Sequence, residues 1–419
     1  MLGRILNSHQ QWLCRRLADL GYVVTRQVAV ADTSGEIQKA VQEALARADL
    51  VITTGGLGPT SDDLTREALA RLLGRTLRED AAVVAHIRNY FKRRNYPMPE
   101  SARVQALVPE GALVLPNPNG TAPGLAIKVE RNADASFKIE NAGGTPPDPR
   151  SPAWLVMLPG PPRELQPMFI AAVEPLLRRE FPLASPFFCR TLRTSGVGES
   201  VLEEKIREPL RELVKAGLEI GYCARIGQVD VRLAAFGANA EETVAAAEAI
   251  VRATLGADTF GTGDEELEAV VIRLLTAQKK SLAVAESCTG GWIANRLTNV
   301  PGASAVFRGG FVTYSNEAKE KFLGVRAETL ARHGAVSEAV AREMAEGARR
   351  AMGSDYAIAV TGIAGPDGGS AEKPVGTVYF ALAEAGATRV WQRLNAWDRL
   401  TFKEVTAAQA LNQLRLRLG

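Results

Sequence analysis

DLVITTGGLGPTSDDLTREALARLLG (49–74) runs from a short apolar segment through a glycine-rich loop into a helical pattern. Leu50 to Thr54 is rich in β-branched residues and runs straight into glycines, as a short buried strand does. LTREALARLLG reads as a helix starting after Asp62 and Asp63. Strand, loop and helix in this order are the unit of a parallel sheet. Upstream, Ile5 to Leu20 has apolar residues at helical spacing and stops at Gly21. YVVTRQVAV (22–30) is predicted as a strand and Glu36 to Ala46 as a helix. A doubly wound unit opens on a strand, whereas this sequence opens on a helix, so the first strand is expected to be missing.

Downstream, RNADASFKIENAGGTPPDPRSPA (131–153) interrupts the flow from LAIKVE to WLVMLPG and is expected to be an inserted exposed hairpin or loop. From 187 to 262 the pattern becomes strand, helix, strand, strand, helix, a small α+β arrangement. A fresh α/β pattern begins near 265, with strands in SLAVAES, FRGGFVTYS, DYAIAVTG, GTVYFALA and RVWQRL. The expected fold class is therefore α/β, with two three-layer α/β domains (1–170 and 263–419) joined by a small α+β middle domain (171–262). No internal repeat points to a solenoid.

Composition narrows the function classes. The 419 residues are 46% hydrophobic and 23% charged, which is globular rather than disordered. Fifty Lys and Arg against 47 Asp and Glu leave +3, too little for nucleic-acid binding by charge alone. Four cysteines without CxxC spacing argue against a disulfide framework or a zinc site, and point to a reducing, cytoplasmic compartment. Three histidines (His9, His86, His333), none at ligand spacing, make a histidine metal centre or a Ser-His-Asp triad improbable. No apolar run reaches the ~20 residues of a membrane span, and the N-terminus has no apolar signal core.

The loop TTGGLGPTSDD (53–63) lies where backbone N–H groups and a helix dipole favour an anion such as phosphate. Asp62 and Asp63 would repel that anion unless they hold a divalent cation, magnesium or manganese by oxygen chemistry; otherwise they cap the helix. PNPNGTAPG (116–124) and LPGPPREL (158–165) are dense in Gly and Pro, either rigid edges of a crevice or ordinary tight turns.

In AVAESCTGGWIANRL (283–297) a strand ends at Glu286 and turns through Ser287, Cys288 and Thr289 towards Gly290 and Gly291. Ser287 is either a nucleophile exposed at a helix N-terminus, whose free N–H groups would form an oxyanion hole, or, like Thr289, a helix cap. With His333 the only histidine in this domain, lysine is the remaining common base. Lys319 in GFVTYSNEAKEKF (310–322) lies in the first turn of a helix that Asn316 can cap, five residues after Tyr314. A buried cation there has a lowered pKa, whereas a solvated one is an ordinary surface lysine, as Lys321 is expected to be. Cys288 competes as nucleophile but lacks a nearby histidine. VTGIAGPDGGSAEKPVGTVYF (360–380) is either a pocket loop or a flexible surface loop.

Together GGLGPTSDDLTREAL, PNPNGTAPG and LPGPPREL resemble the molybdopterin-binding-like (MoaB/Mog-like) domain of the CinA (competence/damage-inducible) family over most of residues 1–170. The resemblance implies nucleotide or pterin phosphate binding by Gly55, Gly56, Gly58, Thr60, Asn119, Gly120 and Thr121. Asp62 and Asp63 would sit on the metal side of a divalent-metal-dependent ADP-ribose pyrophosphatase. The family normally opens with a strand and an acidic GxELL-like turn, whereas MLGRILNS begins at the end of that turn.

AESCTGG, GFVTYSNEAK and VTGIAGPDGGSAEKPVGTV resemble the CinA C-terminal domain, also called PncC, which deamidates nicotinamide mononucleotide. That likeness implies a cofactor-free amidohydrolase with Ser287 as nucleophile, Lys319 as base and Tyr314 assisting. Thr289, Gly290, Gly291, Thr361, Gly362, Ala364 and Gly365 would line the pocket. Where the family has a GDRxxVR-like stretch, this chain has WDRLTFK (397–403), keeping Asp398 and Arg399 but carrying Trp397 and Lys403. The expected partners are nicotinamide mononucleotide and ADP-ribose, without membrane or nucleic acid, in a homodimer. Two other readings stand beside this one. In one, the N-terminal domain is a non-hydrolytic pterin or nucleotide binder; in the other, the chain is a competence-linked interaction protein.

Overall fold

The computed structural model describes residues 7–130 and 152–419. The chain forms two compact units, Met1–Ala184 and Ser185–Gly419. Both mix helix and sheet, as an α/β class requires.

The first unit opens with α1 (Ser8–Asp19), α2 (Ser34–Leu45), β1 (Leu50–Thr54) and α3 (Thr65–Leu72). It continues through β2 (Leu77–Glu79), α4 (Ala81–Lys92), β3 (Leu107–Pro109), β4 (Leu113–Leu115) and β5 (Gly124–Val129). β6 (Ala153–Leu158), α5 (Pro162–Met168) and α6 (Glu174–Glu180) complete it. The main sheet has the order β1-β6-β5-β4, with β1 and β6 parallel. β6 is buried throughout, and its alternation builds two cores. Leu155 and Met157 join Ile37, Leu69 and Ile87 on one face, while Val156 and Leu158 join Leu17, Phe169 and Leu177 on the other.

One expected strand does not form. YVVTRQVAV carries no ladder, and Val23 and Val28 are exposed. A strand exists only through a partner for its N–H and C=O groups, and β1 is the last strand of the described sheet. The insertion expected at 131–153 falls almost wholly outside the described residues; Ala153 already belongs to β6.

The second unit begins with β7 (Phe187–Ser195), α7 (Glu199–Lys215), β8 (Glu219–Arg225), β9 (Gln228–Phe236), α8 (Ala240–Leu255) and β10 (Thr259–Thr262). These strands form an antiparallel sheet, β10-β7-β9-β8, on which Leu202, Ile206, Val244 and Val251 pack against Leu192, Val231 and Leu233. Next come α9 (Leu267–Gln278), β11 (Leu282–Glu286), α10 (Trp292–Thr298), β12 (Phe307–Val312), α11 (Asn316–Leu323) and α12 (Ala327–His333). The unit ends with α13 (Glu338–Met352), β13 (Tyr356–Gly362), β14 (Thr377–Glu384), β15 (Ala387–Leu394) and α14 (Arg399–Leu418).

The second sheet has the order β12-β11-β13-β14-β15, its first three strands parallel. Side-chain size differs between its faces. Val284 and Ile358 meet Val271, Phe402 and Leu411 from α9 and α14, whereas Ala283, Ala285, Ala357 and Ala359 let α13 close in through Val340, Met344 and Ala348. Because β12, β11 and β13 run parallel, their C-terminal ends and the loops after them share one edge, where ligand sites of such sheets form. Among the described residues no helix is long and apolar enough to cross a membrane.

Candidate active site

β11 delivers Ser287 to that edge, and the Ser287 N–H donates to the carbonyl of Val360 in neighbouring β13 (3.0 Å). Gly290 (φ +61°) and Gly291 (φ +95°) then take left-handed conformations that side-chain-bearing residues rarely adopt. This reversal lets the carboxylate of Glu286, fully buried, accept from the N–H groups of Gly291 (3.0 Å), Ile293 (3.1 Å) and Ala294 (2.8 Å). Glu286 thus caps α10. Neither Ser287 nor Thr289 does, which removes the capping alternative for both. The same bonds correct the expected oxyanion hole, because those helix N–H groups are already spent on Glu286.

Lys319 reaches the serine from α11, whose cap is the Ser315 hydroxyl, accepting from Ala318 N–H, rather than Asn316. The ammonium side chain is only 1% exposed. Its Nζ lies 3.1 Å from Ser287 Oγ, 2.8 Å from the carbonyl oxygen of Thr313 and 3.4 Å from that of Tyr314. Burial lowers its pKa from the ordinary lysine value, with the nearby Cys288 acting weakly in the opposite sense. A neutral amine has two N–H bonds and one lone pair. The two carbonyls can take both N–H groups, leaving the lone pair facing Ser287 Oγ, the arrangement a base needs. Lys321 is exposed, as expected.

Cys288 is buried and its thiol is pushed up to about 12 by burial, so it is protonated at neutral pH and inert as a nucleophile. The hydroxyls of Thr289 and Thr313 are buried without a hydrogen-bond partner among the described residues. Two unpaired donors beside a serine–lysine pair are costly unless something else accepts from them.

Tyr314 sits differently from expectation. Its phenol is 61% exposed and accepts from Arg399 (2.7 Å), and its tie to Lys319 runs through its main-chain carbonyl. Arg399 also donates to the carbonyl of Gly365 (2.7 Å), bridging the loops after β12 and β13. The Thr361 hydroxyl donates to Ala335 O (2.7 Å), and Ala364 packs into the core. Gly362 is half-buried where a Cβ would meet the carbonyl oxygen of Thr377 at 2.9 Å. Thr361, Gly362 and Ala364 therefore shape the loop, while Gly365 reaches Arg399.

In the first unit the three glycine-rich loops converge. Gly55 N–H donates to Leu158 O (2.9 Å), and Thr65 N–H donates to Gly56 O (3.1 Å). Gly58 packs directly on the Asp63 carboxylate, where a Cβ would lie 2.3 Å from Oδ2. The Thr60 hydroxyl donates to both Asp62 and Asp63, and Thr60 N–H donates to Asp63 (3.0 Å). That hydrogen bond from Thr60 holds the Asp62 carboxyl below its usual range. The two aspartates fold back on their own loop instead of capping α3, which starts at Thr65 without a side-chain cap. No group of three His, Cys, Asp or Glu able to hold a metal occurs among the described residues. The described side chains alone therefore do not make a complete divalent centre.

Pattern reading missed the pins of the second loop. Buried Asn117 donates to Ala122 O and to Glu164 Oε2 (both 2.8 Å), and accepts from Asn119 N–H (3.1 Å). Asn119 donates on to Arg163 O (3.0 Å), and His86 meets Gly120 O (2.9 Å). Thr121 is half-buried in the same loop. Glu164 lies in the first turn of α5, so the acidic residue of LPGPPREL was the available signal.

Family models match three segments. The probable molybdopterin binding domain covers residues 1–179, the damage-inducible protein CinA KH domain 189–261 and the CinA C-terminal domain 264–418. A putative competence-damage inducible protein of Symbiobacterium thermophilum is 45% identical over 92% of this chain and 86% of its own. A CinA-like protein of Akkermansia muciniphila is 44% identical over 98% and 93%. Among solved structures, a competence/damage inducible protein from Agrobacterium tumefaciens matches 36% of this chain and 93% of its own at 45% identity, with a TM-score of 0.35.

Proposed function

The chain belongs to the CinA family, and from that premise we propose that its C-terminal domain hydrolyses the carboxamide of nicotinamide mononucleotide to nicotinate mononucleotide and ammonia. One observation carries the proposal: Lys319 Nζ, buried and among the described residues without a carboxylate partner, sits 3.1 Å from Ser287 Oγ. Lys319 takes the Ser287 proton as Oγ bonds to the amide carbon. It returns that proton to the departing nitrogen, the C–N bond breaks and ammonia leaves. Water then adds to the acyl-serine, its proton passing through Lys319 to Ser287, and the carboxylic acid is released. Arg399 ties the Tyr314 phenol to the Gly365 carbonyl across the loops after β12 and β13, and no cofactor enters the cycle.

Ammonia release by the purified protein and by Ser287→Ala tests this. Activity in the wild type and its loss in the variant are expected, whereas undiminished release by Ser287→Ala would refute the assignment.

For the first unit, the convergence of the three loops supports nucleotide binding more than catalysis, since Asp62 and Asp63 are turned onto Thr60. AMP release from ADP-ribose, measured with and without magnesium or manganese, separates the binding module from the pyrophosphatase. The proposed setting is cytoplasmic.

A further inference from the structure

We infer that the second unit holds another ligand site, a nucleotide-sized pocket between β7, the β8–β9 turn and α14 that receives a phosphate group. It lies on residues that the deamidase chemistry does not use, so it goes beyond the function proposed above.

The cavity encloses about 490 Å³, within the range of small-molecule sites. Two buried primary amides line it, Gln228 and Asn412, each 6% exposed. An arginine fixes the orientation of each. Arg193 donates to Gln228 Oε1 (3.0 Å) and Arg415 Nε donates to Asn412 Oδ1 (2.8 Å). Since arginine only donates, the oxygens must be the atoms it meets, and both NH₂ groups remain. Among the described residues no acceptor faces either NH₂ group, so both amides keep a donor for a ligand in the cavity.

A third set of donors comes from the backbone. The turn Ser195–Gly198 leads into α7, 17 residues long and without a side-chain cap. The first bond at this end runs from Leu202 N–H to Gly198 O, which leaves the N–H groups of Glu199, Ser200 and Val201 open, and of this helix start Gly198 and Glu199 line the cavity. Arg393 of edge strand β15 also lines it, and among the described residues its side chain donates to Gln392 O and meets no carboxylate. Carboxylates are present too. Asp258 lies 3.8 Å from Lys205, and Glu199 sits at the exposed rim.

Side-chain amide donors, open helix N–H groups and the Arg393 guanidinium suit an anion with several acceptor oxygens, and phosphate fits best. The indole of Trp391, stacked on Phe380 at 5.5 Å, adds a flat apolar wall for a ring. Phosphate and ring together define a nucleotide.

Hydrogen-exchange mass spectrometry of the full chain tests this at the site itself, using AMP and adenosine at equal millimolar concentration. AMP should slow exchange across residues 196–201 and adenosine should not. Asn412→Asp keeps the acceptor for Arg415 but replaces the free NH₂ with oxygen. It and Arg393→Glu should each weaken the AMP effect about tenfold or more. The inference is overturned if AMP leaves 196–201 unchanged, if adenosine protects as well as AMP, or if both variants are protected like the wild type.

Discussion

Replacing Lys319 by methionine keeps roughly the volume and burial of the side chain while deleting the amine. Nζ is the group within reach of the Ser287 proton, with its other bonds to the carbonyls of Thr313 and Tyr314. A positioned base is worth about 10²- to 10⁴-fold, so kcat for ammonia release should fall about 10³-fold, near 4 kcal/mol of barrier. Stability should move far less. The carbonyls of Thr313 and Tyr314 lose a donor and the Ser287 hydroxyl loses an acceptor, at roughly 1 kcal/mol each, and the burial of an amine that already depresses its pKa is relieved. The thermal midpoint is therefore expected within a few degrees of wild type. Lys319→Arg should be as inactive as Lys319→Met, because a guanidinium stays charged and cannot accept a proton. The pH profile gives an independent check. The neutral amine is the active form, so kcat should rise with pH through a limb below the ordinary lysine value of about 10.4. Activity within tenfold of wild type in Lys319→Met, or a limb at or above that value, would refute the reasoning.

Cys288→Ala should keep deamidase activity within about threefold, and thiol alkylation near neutral pH should leave Cys288 unmodified, since its pKa is about 12; peptide mapping after alkylation reads this directly. Asp355 is held at about 2, chiefly by its hydrogen bond from Lys280 and further by Ser281. A depressed carboxyl stabilises above its unfolded value of 3.8 and loses that contribution as pH falls through about 2, so Asp355→Asn should flatten the acid limb of the unfolding midpoint in this interval. An unchanged slope counts against the pairing. In Gly120→Ala the new Cβ would lie 2.0 Å from Glu164 Oε2 and 2.7 Å from Asn117 Nδ2. The expected cost is about 1–3 kcal/mol, seen as an earlier unfolding transition.

Much of the fold is written locally. The alternation in SLAVAES and DYAIAVTG already sorts residues to two faces of a sheet, and helix propensity and glycine stops place most elements. Ser287 and Lys319 were legible because a strand-to-helix turn and a helix first turn are short-range patterns, and the scarcity of histidine pointed to lysine as base. The fate of YVVTRQVAV was not, because its apolar pattern is that of a strand while strandedness depends on a neighbour elsewhere in the chain. Nor could sequence show that Glu286 takes the first N–H groups of α10, that Arg399 holds the Tyr314 phenol, or that Glu164 pins Asn117 across 47 residues. Periodicity and φ preference act between near neighbours, so the sequence alone determined most of the elements and pointed to the candidate nucleophile and base. Which polar groups are spent and which remain free is settled by partners distant in the chain, and only the tertiary structure decided it.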